Sequence, residues 1–168
     1  MEFHVKTAPT AENYCKNGRE FSEAAWRCFG GREGKIIENG VIRWLPAATV
    51  VNAAFSCEMN LKAFLIMEEK TIPKNREGHN LKKLFEMLEK DTQTRVSRFC
   101  MPKASSSFYN DFLNILETHA NDFASARYFV EHDGWQEMSP ITVLTIAENL
   151  SIITNAMILQ KKEQENRE

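Results

Sequence analysis

PAATVVNAAFSCEMNLKAFLIMEEK, residues 46 to 70, runs for 24 residues after its opening proline without another proline or glycine. Apolar side chains occupy nearly every side of the helix it projects, which is the pattern of a central helix wrapped by others. The polar residues in this stretch therefore need partners or must sit at a seam between helices.

Two polar sets interrupt it. Glu58 and Lys62 stand four apart beside Val51 and Leu65, with Glu preceding Lys in the favourable order. Asn52, Ser56 and Asn60 form a second row at four-residue steps, and Ala53, Cys57 and Ala63 supply small side chains for close approach of another helix. Both sets fit a satisfied core network, and such networks share their residue types with functional sites.

The chain has 168 residues, 43% of them hydrophobic, which predicts one domain over residues 1–168. With 21 basic and 23 acidic side chains, the net charge of −2 provides no global attraction to nucleic acid or to an anionic membrane. Cys15, Cys28, Cys57 and Cys100 make no metal-binding or CxxC pattern, and the first residues lack an apolar secretion segment. These features predict a cytoplasmic protein that uses no metal and no cofactor. The apolar stretch 140–159 carries Glu148 and several Thr, Ser and Asn, so it reads as a buried helix, and no membrane partner is expected.

Outward from the central stretch, residues 1–8 read as a loose terminus, and Thr10 caps a helix through Phe29 that Gly30 and Gly31 stop. Asn39-Gly40 carries the local chemistry of a hairpin turn, but an isolated hairpin is marginal, so an ordered loop is preferred. Asn80 caps a helix bearing Leu81, Leu84, Phe85 and Leu88, with His79 just before the cap. Residues 91–103 read as a charged, broken connection with Arg95, Arg98 and Lys103 as a local basic cluster. A helix from the serines at 105–107 to about His132 follows, then one from Pro140 to about Gln160, with 161–168 fraying into solvent. The expected fold is all-α, a single up-and-down bundle of about five helices.

Residues 52–65, NAAFSCEMNLKAFL, followed by 78–85, GHNLKKLF, resemble the Ser-x-Glu-x-x-Leu-Lys helix and Gly-His-x-Leu turn of bacterial HEPN domains. Arg127-Tyr128-Phe129-Val130-Glu131 is similar to the Arg-Tyr-x-x-Glu segment on a later helix of the same family. The resemblance implies a helical bundle, frequently a homodimer. It further implies metal-independent RNA cleavage, or partnership with a minimal nucleotidyltransferase or an antitoxin, in prokaryotic stress and defence systems. The family's nuclease signature, an Arg followed by four to six residues and a His, falls on Arg127 and His132. In that reading His132 moves a proton and Arg127 stabilises charge on the phosphorane, while Glu58, Lys62, His79 and Glu131 line a supporting polar cleft.

Two alternatives stand beside it. On a continuous helix Arg127 and His132 differ by about 140° of rotation, so they converge only if the helix unwinds near Asp133-Gly134 or a dimer mate supplies one of them. Arg127 and Glu131 are four apart and can instead pair directly, reaching Glu58 or Lys62 to hold two helices in register. The latter describes a non-catalytic interaction or ligand-binding module serving a separately encoded enzyme.

Overall fold

The computed structural model of the chain describes residues 8–32, 37–38, 40–42, 45–101, 108–118 and 140–167. Helix α1 is Ala11–Cys28, opened by a reciprocal capping box in which Thr10 Oγ1 accepts from the Asn13 amide at 3.3 Å and Asn13 Oδ1 accepts from the Thr10 amide at 3.2 Å. Two short strands follow, β1 (Ile37–Glu38) and β2 (Val41–Ile42), antiparallel with Ile37 opposite Ile42. The ordered loop expected at Asn39-Gly40 is thus corrected to a small hairpin. Gly40, at φ 75°, supplies the left-handed backbone the turn needs, and the Leu45 amide donates to Cys28 O at 2.8 Å, tying the returning chain to the end of α1.

Helix α2 is Pro46–Met67. It ends in a Schellman turn: Glu69 adopts φ 56°, its amide donates to Ile66 O, and the Lys70 amide donates to Leu65 O at 2.8 Å. A 3-10 turn, Arg76–His79, leads into α3 (Leu81–Glu86), capped by Asn80 through the Lys83 amide at 2.9 Å. Helices α4 (Lys90–Cys100), α5 (Phe108–Thr118) and α6 (Pro140–Glu165) complete the described elements. The architecture is an all-α bundle, as the periodicity predicts.

The broken connection expected over 91–103 is mostly helix α4 instead. Its buried face is Thr92, Gln93, Val96, Ser97 and Cys100, a helical spacing filled largely by polar residues, and for that reason it is silent to a count of apolar ones. Gln93 carries its amide into the core by donating to Leu88 O at 2.6 Å and Glu86 O at 3.1 Å, while Tyr109 of α5 donates to Gln93 Oε1. Glu68, just past α2, accepts the Glu89 amide at 3.0 Å at the entrance to α4 and Lys70 Nζ at 2.7 Å, placing a carboxylate where the helix dipole favours one.

α2 packs against α1, α6 and α3, while α4 packs against α6 and α5, and α5 against α3. Leu61, Phe64, Leu65, Leu84, Phe85, Phe112, Leu144 and Leu150 fill the core, with Phe85 and Phe112 edge to face at 5.0 Å. Among the described residues two helices, α2 and α6, are long and apolar enough to cross a membrane; 67% of the apolar window of α2 is buried inside the bundle and 44% of that of α6. The end of α6 also differs from expectation, because helix continues through Glu165 rather than fraying from residue 161. Lys161 Nζ donates to Met67 O at the C-terminus of α2 (2.9 Å), and Lys162 pairs with Glu12 of α1 at 3.0 Å.

The contact of α1 with α2 depends on Gly18. A Cβ at position 18 would stand 2.4 Å from Asn60 Nδ2, and Asn60 is fully buried and held by hydrogen bonds. Gly18→Ala gains about 1 kcal/mol of helix propensity but overpacks this contact, which costs about 1–3 kcal/mol. Urea unfolding of that variant is expected to show a net loss of stability, which adding Asn60→Ala reduces.

The Glu12 carboxyl is lowered from its ordinary 4.5 to about 2, chiefly by the hydrogen bonds it accepts from Lys162 Nζ and from backbone. Because the folded-state value is depressed, this contribution is complete above pH 4.5 and is lost as pH falls toward about 2. The pair is exposed, so it is worth at most about 1 kcal/mol. Glu12→Gln is expected to flatten the pH dependence of stability in that acid window and to leave stability near neutral pH lower by no more than that amount.

Candidate functional site

The two polar rows of α2 face opposite ways, since positions 56 and 58 are about 160° apart around a helix. Toward α1 and α6, Asn60 Nδ2 donates to Ser56 O at 2.8 Å and to Ser151 Oγ of α6 at 3.0 Å, and Asn52 donates to Ala48 O at 2.7 Å. This row joins helices. The buried Asn60 Oδ1 accepts from no donor among the described residues.

The opposite row builds the site. Lys62 Nζ donates to Glu58 Oε1 at 2.6 Å, and the side chains of both are buried, 10% and 3% exposed. The other carboxylate oxygen, Glu58 Oε2, lies 3.2 Å from His79 Nδ1, and the His79 side chain is 54% exposed. One buried carboxylate therefore joins an interior ammonium to an imidazole at the surface. With Glu58 as acceptor, Nδ1 of His79 is the donor, and in the neutral ring Nε2 is then the basic nitrogen.

The backbone before His79 is shaped to present it. Asn75 Oδ1 accepts from the Glu77 amide at 3.1 Å, and the Gly78 amide donates to Asn75 O at 3.0 Å. Gly78 is buried, and a Cβ there would stand 2.1 Å from the carbonyl oxygen of Pro73. Only glycine fits this turn without moving the backbone, which gives the Gly78-His79 pair a steric origin.

The structure brings together Glu58, Lys62 and His79, three of the residues expected to share a polar cleft. Arg127, Glu131 and His132 lie outside the described residues, so their expected pairing belongs to the proposal below. Among the described residues no group of three or more His, Cys, Asp or Glu is placed to hold a metal ion. Burial pushes the Cys100 thiol well above its usual value, an environment in which thiolate chemistry is suppressed.

A second polar region was not legible beforehand. Arg32 pairs with Glu23 at 2.8 Å, pairs also with Glu148 of α6, and stacks 5.4 Å from the Trp26 ring centre. Glu23 and Glu148 are 125 residues apart in sequence, so no local spacing signals their common partner.

Removing one member of a buried ion pair strands the other charge, at a cost of about 3–5 kcal/mol, whereas replacing both with apolar residues is often neutral. Lys62→Met is expected to lower unfolding stability by about that amount, and the double variant Glu58→Leu, Lys62→Met to recover most of it. Chemical denaturation of the two variants beside the wild type measures both effects.

Comparison of the chain with models of known families, with curated proteins and with solved structures gives no match in any of the three.

Proposed function

We propose that this protein is a cytoplasmic, HEPN-like bundle that cleaves RNA without a metal, in a prokaryotic stress or defence system. The observation that carries the reading is the half-exposed His79 ring held by the buried Glu58 carboxylate, because an imidazole fixed in one tautomer at a surface is suited to moving protons. The resemblance at Glu58, Lys62, Gly78-His79 and Arg127 to His132 supplies the substrate class.

The chemistry needs two proton transfers and one charge stabiliser. A base takes the ribose 2′-hydroxyl proton as that oxygen attacks the adjacent phosphorus. The bond from phosphorus to the 5′-oxygen breaks, an acid protonates the leaving oxygen, and the products are a 2′,3′-cyclic phosphate and a 5′-hydroxyl. In this proposal His79 and His132 share the proton transfers and Arg127 stabilises the phosphorane. Glu58 is a positioning residue, and Lys62 keeps that carboxylate satisfied in the core.

A second reading has its own support. Ile141, Ile152 and Leu159 are 46%, 51% and 53% exposed, and they fall within about 20° of one another around α6. Three exposed apolar side chains on one face suit a non-catalytic interaction module, either a homodimer or a complex with an antitoxin or a minimal nucleotidyltransferase.

Incubation of the pure protein with a structured RNA pool in EDTA separates the two. The nuclease reading expects cyclic phosphate ends, with rates reduced about 100-fold or more in His79→Ala, His132→Ala and Arg127→Ala at unchanged melting temperature. Intact RNA with every protein, together with an oligomer in sedimentation that Ile152→Glu dissociates, would replace it with the interaction module.

A further inference from the structure

A groove of about 520 Å³ runs between α1 and α6, on the side of α2 opposite Glu58 and His79. Its volume is that of a small-molecule site. An ion-paired latch between the two helices stands at each end: Glu12 with Lys162, and Arg32 with Glu23 and Glu148. The helices are antiparallel there, because the early residue of α1 meets the late residue of α6. Glu12 and Glu23 are eleven positions apart, which sets a span of about 16 Å between the latches.

Among the described residues the three carboxylates lining the groove are held by two cations, Glu12 by Lys162, and Glu23 and Glu148 by the shared Arg32. Between the latches stand Lys16 and Arg19, one helical turn apart and both exposed, and neither has an ion pair or hydrogen bond among the described residues. Beneath them the floor is made by Cys15 and Ile158, each 7% exposed, with Ile152 along the α6 rim. Ser151 adds a hydroxyl already oriented by donating to Ala147 O at 3.0 Å and accepting from Asn60. The groove therefore offers the two cations Lys16 and Arg19 over a partly apolar floor, and because Glu23 and Glu148 share the single Arg32, its net charge together with the latches is +1.

We infer that this groove binds a small organic anion, its carboxylate or phosphoryl group on Lys16 and Arg19 and its carbon skeleton against Cys15, Ile152 and Ile158. The site is independent of the ribonuclease reading, since it uses none of the residues assigned to RNA. Two unpaired cations favour a singly or doubly charged head group, and the distance between latches limits the ligand to the size of a mononucleotide or a medium-chain acid.

Isothermal titration of the full chain with AMP and, separately, with decanoate tests the inference and distinguishes the two sources of the anion. At least one of them is expected to bind with a Kd below about 1 mM. The double variant Lys16→Gln, Arg19→Gln should weaken that binding by about tenfold or more while melting like the wild type. Ile152→Trp, which fills the groove from its rim and leaves the charges in place, should weaken it as well. Failure of both compounds to bind the wild type, or equal binding by the wild type and the charge variant, would overturn the site. Neither result touches RNA cleavage, which is read in the absence of both ligands.

Discussion

Most of the polar groups carried by α2 are satisfied by the bundle around it, because the larger part of the helix is buried away from water. Most of the architecture follows from how this is done. Asn60 reaches Ser151 and fixes the register of α6, and its amide occupies the space that only a glycine at position 18 leaves between α1 and α2. Glu58 receives Lys62 from within α2 and His79 from the turn beyond it. Lys161 satisfies the last carbonyl of α2, and Glu68 receives the backbone at the start of α4.

The same carboxylate thus stabilises the fold and orients the candidate proton-transfer group. Glu58 is needed in the interior to balance Lys62, and its second oxygen reaches the surface through His79. In the proposed reaction stability and chemistry are coupled at this position, so a loss of RNA cleavage on changing Glu58 carries meaning only beside a measurement of folding. His79 and the groove cations are exposed, which separates their roles from the core.

Because the two polar rows of α2 face apart, the helix carries its polar groups on two separate sides. One side presents the imidazole next to α3, where the 3-10 turn and Gly78 set its position. The other carries the groove between α1 and α6, closed at both ends by ion pairs between helices. A bundle with a single central helix supports this arrangement because each row needs only its own neighbours.

Much of this was legible in the chain itself. The unbroken apolar run after Pro46 determined a central helix, and the spacing of Glu58 and Lys62 determined that they could pair, since four residues bring side chains together on any α-helix. Thr10 and Asn80 marked helix starts by their capping chemistry, which is local. Helix α4 was not legible, because its buried face is made largely of the polar Thr92, Gln93 and Ser97, and Gln93 and Ser97 are held there by acceptors on Glu86, Leu88 and their own helix. Nor was the Asn39-Gly40 hairpin decided by its turn residues alone. What only the tertiary structure decided is which distant groups meet: His79 on Glu58, Ser151 on Asn60, Arg32 between Glu23 and Glu148, and Lys162 on Glu12. Helical periodicity assigns a residue to a face, but the partner across that face is set by how whole helices pack, and that is a property of the assembled bundle.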